Sequence, residues 1–388
     1  MHKMQQDYIS RVHLKGYKSI HDLEVDLKPG INIIIGPNGS GKTNFMESLF
    51  KSRRHYFIED PISSIIQVEV PDGSSVIYEW NNQKSDEKGV KFIYSNQETR
   101  DGILIVSTKW RVYEDPKRFE APFEQIGDIL KSSSLWNVPL LISYGLPQLF
   151  ADSMTEPVKI AFNVRKEKVD LLNDHTFENT SFLLGNIFLE SHQLYGTDIK
   201  ESVIDKVDLE VLNNNLKSCS PIQAVRFDQK RVLQYIDETN NTLVLENLLF
   251  QFLIAEKWLY WNQLSDGTKR LFYLISLVTY YNKYVLLEEP ELGIHPDQLY
   301  KLMDFLKEQA EKKQIILTTH SPDVLNMLGR DQLDRIIVTR YDTEKGTQMH
   351  HLSEKQIRKA HIYMDETGDV SDFWVHSNLE EYEEAETG

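Results

Sequence analysis

The chain has 388 residues, with 59 acidic against 43 basic side chains and a formal net charge of −16. That length supports about two to three domains with a sizeable core, and the acidic balance disfavours non-specific contact with phosphate backbones. A single cysteine, Cys219, excludes an internal disulfide framework and suits a reducing cytoplasm, while the apolar stretches are too short or too interrupted for a membrane span and the opening Met-His-Lys-Met-Gln-Gln-Asp carries no apolar signal core.

The first strong pattern is the apolar run Ile31-Asn32-Ile33-Ile34-Ile35, read as a buried strand. Gly36-Pro37-Asn38-Gly39-Ser40-Gly41-Lys42-Thr43 follows it, and Asn44 to Lys51 has helix-compatible spacing. A strand, a glycine-rich turn and a helix N-terminus present several backbone N–H groups to one polyphosphate. The pattern predicts a nucleoside triphosphate site in which Asn38, Gly39, Ser40 and Gly41 form the cradle, Lys42 reaches the terminal phosphates and the Thr43 hydroxyl holds Mg²⁺. The basic cluster Lys51-Ser52-Arg53-Arg54-His55 complements the dipole at the end of that helix.

Farther along, Ile65 to Val70, Ser75 to Trp80, Val90 to Tyr94 and Ile103 to Ser107 alternate in polarity, and Pro71-Asp72-Gly73 and Asp101-Gly102 separate some of them. They read as an antiparallel β subdomain over about 62–113. Val138 to Gly145 reads as a buried strand with Gln148 just beyond. Residues 151–262 show neither sustained heptads nor a Cys-x-x-Cys pair and are expected to form a short, mainly helical lever. Leu264-Ser265-Asp266-Gly267-Thr268-Lys269-Arg270 then opens a long apolar helix reaching about Tyr281. Tyr284 to Leu287 is a short buried strand closed by Glu288, Glu289 and Pro290, and Ile315 to Thr319 is another, ending in His320. Ser321-Pro322-Asp323 reads as a helix start with an N-cap serine. Trp258 and Trp261 read as packing residues, His350, His351 and His361 lack metal-site company, and Leu379 to Gly388 is an acidic, solvated tail.

In order and spacing these segments resemble the ABC-type P-loop ATPases, and the chain as a whole is similar to their RecF/SMC-like branch. The likeness extends to the opening, Val12-His13-Leu14-Lys15-Gly16-Tyr17-Lys18-Ser19-Ile20. It implies an α/β head with a β subdomain and a short insert. Residues 1–150 would be the N-terminal nucleotide lobe, 151–262 the insert, 263–345 the lobe with signature, Walker B and switch histidine, and 346–388 a C-terminal extension. Glu288 stands where ABC enzymes usually carry Asp and would orient Mg²⁺; Glu289 would polarise the attacking water. The Glu-Glu-Pro-Glu form resembles the ATPase domains of OLD-type nucleases. By the same likeness His320 touches the γ-phosphate, Gln148 senses it with Mg²⁺, and Ser265 and Gly267 receive the γ-phosphate bound by a second subunit. The implied assembly is a head-to-tail homodimer or a higher homo-oligomer closed on two ATP molecules.

Two functions fit slow, Mg²⁺-dependent ATP hydrolysis by such a head. One is the ATPase and sensor subunit of a prokaryotic anti-phage system, resembling Septu- or PARIS-like heads that act with a separately encoded nuclease or toxin. The other is a RecF-like repair or clamping ATPase that binds DNA, against which the acidic balance weighs. A transporter ATPase is a third reading, disfavoured by the RecF/SMC-like opening and the size of the insert. No nuclease constellation and no Toprim domain are expected in this chain.

Overall fold

A computed structural model describes residues 7–53, 63–69, 75–81, 89–95, 103–109, 140–142, 158–165, 168–171, 207–237, 242–280, 284–366 and 368–377. Two compact units emerge. The first comprises Met1–Ile142, Lys283–Pro290 and Lys307–Gly388; the second comprises Ser143–Asn282 and Glu291–Leu306.

The first unit is built on one twelve-stranded sheet. Its N-terminal strands are β1 (Tyr8–Tyr17), β2 (Ile20–Asp26) and β3 (Ile31–Ile35), with helix α1 (Lys42–Arg53) after β3. Next come β4 (Ser63–Glu69), β5 (Ser75–Asn81), β6 (Gly89–Ser95), β7 (Ile103–Lys109) and β8 (Leu140–Ile142). In the second unit lie β9 (Val158–Arg165), β10 (Lys168–Leu171), α2 (Glu210–Cys219), β11 (Ala224–Phe227), β12 (Leu233–Asp237), β13 (Thr242–Leu248), β14 (Phe250–Ile254), β15 (Lys257–Leu259) and α3 (Asp266–Tyr280). The chain continues through β16 (Tyr284–Glu288), α4 (Pro296–Gln309), β17 (Gln314–Thr319), β18 (Ile336–Asp342), β19 (Gly346–His351), α5 (Glu354–Glu366) and α6 (Val370–His376).

The sheet order is β7-β6-β5-β4-β1-β2-β19-β18-β3-β17-β16-β8. Strands β18, β3, β17, β16 and β8 run parallel, and β3 and β17 are buried at every position. Parallel strands covered on both faces need continuous apolar runs, which is why Ile31 to Ile35 and Ile315 to Thr319 stand out in the sequence. On the antiparallel side β1 alternates buried and exposed residues, as one solvated face requires. Asn32 and Gln314 are the buried amides among these strands. Asn32 exchanges two bonds of 2.8 Å with the Lys28 backbone, and Gln314 clips β17 to the Ile9 backbone at 2.8 and 2.9 Å. Both amides are thereby satisfied, so their burial costs little.

Strands β4 to β7 form the antiparallel series expected between 62 and 113. They are not a separate sheet, because β4 pairs with β1 and the series prolongs the main sheet. The described residues of the insert differ from the mainly helical content expected. Among its described residues α2 is the one α-helix, with a 3₁₀ turn starting at Trp261, while β9 to β15 form a four-stranded and a three-stranded antiparallel sheet. Short period-2 segments such as Phe250 to Ile254 carry that signal, and Ala255 and Glu256, both at positive φ, close the β14–β15 hairpin in two residues. The core of this unit is aromatic: Phe272 on α3 meets Phe252 at 4.9 Å, Phe250 at 5.7 Å and Trp261 at 5.9 Å between ring centroids. Trp258 lies under the Arg226 guanidinium at 3.9 Å.

Candidate nucleotide site

The loop between β3 and α1 is fixed by its glycines. Gly39 and Gly41 sit at φ +80° and +101°, where a side chain is strained, and a Cβ on Gly36 would lie 2.2 Å from the Thr339 carbonyl oxygen. The buried Lys42 ammonium folds back on the loop and donates to the Gly36 oxygen at 2.7 Å and the Pro37 oxygen at 3.1 Å. The Ser40 hydroxyl is buried with no hydrogen-bond partner. Asn38 and Gly39 are exposed at the loop tip.

Opposite the loop, β16 delivers its carboxylates. Thr43 donates its hydroxyl to Glu288, joining the first turn of α1 to the end of β16. Burial raises the Glu288 carboxyl above the usual carboxylate range, the charges of Glu289 and Glu47 push it the same way, and the Thr43 bond and Lys42 oppose them. Glu289 leaves the strand at φ +46°, an uncommon conformation for a non-glycine residue. Its N–H donates to the Thr318 oxygen at 2.9 Å. That turn aims the Glu289 carboxylate at His320, whose Nδ1 lies 3.2 Å from Oε1. The geometry thus gathers Lys42, Thr43, Glu288, Glu289 and His320 at the ends of β3, β16 and β17. It adds Glu47, one helical turn beyond Thr43, which no sequence pattern singles out.

In the second unit, Ser265 caps α3. Its Oγ accepts the Thr268 N–H at 3.2 Å and meets the Thr268 hydroxyl at 2.8 Å. Gly267 packs so near the Gly293 carbonyl that a Cβ would approach it to 3.0 Å. Gln148 lies outside the described residues. The segment after His320 is a 3₁₀ turn, Pro322–Met327, rather than a capped α-helix. Ser321 does not cap it with its side chain; Thr319 Oγ1 instead accepts the Ser321 N–H at 2.9 Å. His351 and His361 bond backbone carbonyls of Asp334, Asp26 and Arg330. Among the described residues no three or more His, Cys, Asp or Glu side chains are grouped to hold a metal.

The family described as "AAA domain, putative AbiEii toxin, Type IV TA system" matches residues 31–326, well over half of the chain and the whole span from β3 through His320. The chain belongs to this family. Septu protein PtuA of Bacillus thuringiensis is 23% identical over 372 residues, covering 90% of this chain and 80% of that protein. The "Retron Ec83 probable ATPase" of Escherichia coli is 21% identical over 389 residues, covering 84% and 70%. The match to the DNA replication and repair protein RecF of Corynebacterium jeikeium is local: 50% identity over 42 residues, with the chain spanning only 10% of that protein's length. A solved Smc head, bound in its crystal to the C-winged helix domain of ScpA, aligns over 90% of this chain and 99% of that one. Its TM-score is 0.50 at 17% identity, which establishes the fold as an ABC-type P-loop head. This chain is a P-loop ATPase of the AAA and ABC type, similar to Septu protein PtuA and to the retron probable ATPase, locally to RecF, and in fold to an Smc head. Among the described residues no helix is long and apolar enough to cross a membrane.

Proposed function

We propose that this chain is a Mg²⁺-dependent ATPase whose ATP-driven head dimerisation controls a partner, most simply as the ATPase and sensor subunit of an anti-phage defence system. The observation that carries the ATPase chemistry is the pairing of Thr43 with Glu288 and of Glu289 with His320 beside one glycine loop. In this reading the N–H groups of Asn38 to Gly41 and the Ser40 hydroxyl receive phosphate oxygens. Lys42 exchanges its two loop carbonyls for the β- and γ-phosphates, a charge-assisted and therefore stronger set of bonds.

The residues fit a hard dication. Thr43 and Glu288 already bring a hydroxyl and a carboxylate together, both oxygen ligands suited to Mg²⁺. The Glu288 carboxyl is also crowded by the charges of Glu289 and Glu47, which a cation would relieve. When bound, Mg²⁺ neutralises charge on the phosphates. Gln148 is the further residue we place near it. Glu289 accepts a proton from the attacking water, and His320, held against Glu289, is placed to donate to the γ-phosphate oxygens. Ser265 and Gly267 at the start of α3 supply anion-favouring donors to ATP held by the loop of a second copy, which makes the working unit a homodimer or higher homo-oligomer.

Support for a defence role comes from the near full-length similarity to the Septu and retron proteins. A RecF-like repair function is favoured only by short local matches of 42 and 60 residues. The effector would be a separately encoded nuclease or toxin, held by residues 151–262 or by the oligomer surface. The test is to assay the purified chain for ATP hydrolysis with Mg²⁺ and with EDTA, then to assay DNA cleavage alone and after co-expression with neighbouring genes. Mg²⁺-dependent hydrolysis with cleavage confined to the co-expressed complex supports the proposal. Glu289-dependent cleavage by the chain alone, or tight salt-sensitive duplex binding with no co-purifying protein, would overturn the defence reading.

A further inference from the structure

The loop's last glycine does not stand alone. A Cβ on Gly41 would fall 2.0 Å from the Oγ1 of Thr347, a fully buried residue on β19. Thr347 is bound in turn to the β1–β2 turn: its N–H donates to the Ser19 carbonyl oxygen at 2.8 Å, and its hydroxyl meets the Ser19 hydroxyl at 2.7 Å. Ser19 also accepts the side-chain N–H of Asn44, in the first turn of α1, at 2.6 Å. Gly346 allows this approach, because at φ +75° it packs against the Ser19 carbonyl where a Cβ would lie 2.4 Å away. Three segments far apart in sequence therefore meet behind the phosphate loop in a hydrogen-bonded series, Asn44–Ser19–Thr347, with the Thr347 side chain wedged against Gly41.

We propose that Ser19 and Thr347 are positioning residues for triphosphate binding, holding Gly41 and the first turn of α1 so that Lys42 and Thr43 face the ligand together. This rests on the nucleotide-binding reading of the loop. The hydroxyls act through Asn44 and Gly41. A hydroxyl series of this kind is cooperative, because each Oγ needs its neighbour to stay satisfied in a partly buried setting. Removing one member releases Asn44 from the strand side of the helix, and α1 is then free to fray at its first bond, Phe45 N–H to the Gly41 oxygen at 3.0 Å.

The test uses the full chain with Ser19→Ala, Thr347→Val, Thr347→Ser and the double variant Ser19→Ala/Thr347→Val. Thr347→Val keeps the volume against Gly41 and a strand-favouring shape, so it is expected to fold. ATP affinity measured by calorimetry should weaken about five- to tenfold in Ser19→Ala and in Thr347→Val, with the double variant no weaker than either single one, while Thr347→Ser stays within about twofold of wild type. Without nucleotide, hydrogen exchange at the Phe45 and Met46 amides should accelerate about tenfold in Ser19→Ala, with core strand amides unchanged. Equal loss in Thr347→Ser and Thr347→Val, additive losses, or unchanged exchange at Phe45 would each overturn the proposal. If the wild-type chain bound no ATP, the nucleotide reading would fail, and the exchange data would still decide the positioning role.

Discussion

The strand ends of the first unit and the start of α3 in the second unit use their polar groups in opposite ways. At α3, Ser265 satisfies the Thr268 N–H and meets its hydroxyl within one turn. Around the glycine loop the account is open: the Ser40 hydroxyl is buried and unpaired, Lys42 bonds the loop's own carbonyls, burial and neighbouring charge raise Glu288, and Glu289 holds a positive φ. At this loop an unpaired hydroxyl, a raised carboxyl and a left-handed glutamate coincide where a ligand would complete them. The Ser265 hydroxyl is paired within its own chain, whereas the loop presents groups that a phosphate would satisfy.

The largest expected effect follows from removing the loop's cation. Lys42→Ala should weaken ATP binding at least about a hundredfold, because bonds to phosphate are charge-assisted. Labelled ATP retained at wild-type affinity would erase the distinction between the two regions. Next, Glu289→Gln should leave ATP binding intact and lower turnover about a hundredfold or more, the usual worth of a general base; turnover within a few fold of wild type removes Glu289 from that role. A contrasting change in the second unit is Phe272→Ala. It should cost about 3–5 kcal/mol of stability by denaturant unfolding, since Phe272 touches Phe250, Phe252 and Trp261. A cost below about 1 kcal/mol would mean that the aromatic cluster is not the core of that unit.

The smallest effect concerns pH. Glu288 has its folded-state proton affinity raised, so the stability it contributes is present below the ordinary carboxylate range and is lost as pH rises through its folded value. Glu288→Gln removes that loss. The Tm of the variant should exceed that of wild type near pH 8 without Mg²⁺ and converge with it near pH 4. A constant offset across that range would show that the carboxyl is not the source.

What the sequence disclosed follows the same divide. Ile31 to Ile35, the glycine loop, and the runs ending in Glu288 and His320 were legible because buried parallel strands and a φ-positive loop leave dense local patterns. The partnership of Thr43 with Glu288 spans 245 positions and leaves none. The left-handed turn at Glu289 is carried by an ordinary residue, so nothing in the chain announces it. In the insert, strands of a few residues with half-buried faces, such as β14, gave too weak a period to outweigh the expectation of a helical lever. Strands β4 to β7 were legible individually, yet their attachment to β1 depends on a pairing that only the fold reveals.

In the proposed assembly two copies close on ATP held by the Lys42 loop of one and the Ser265 end of the other. It is tested most directly by the mass in solution, from light scattering, of Glu289→Gln with Mg²⁺ and ATP, against the same variant carrying Ser265→Arg. Glu289→Gln should form an assembly of twice the mass seen without nucleotide, and Ser265→Arg should abolish this doubling while leaving ATP binding in place. A mass that ignores ATP, or a doubling that survives Ser265→Arg, would contradict it.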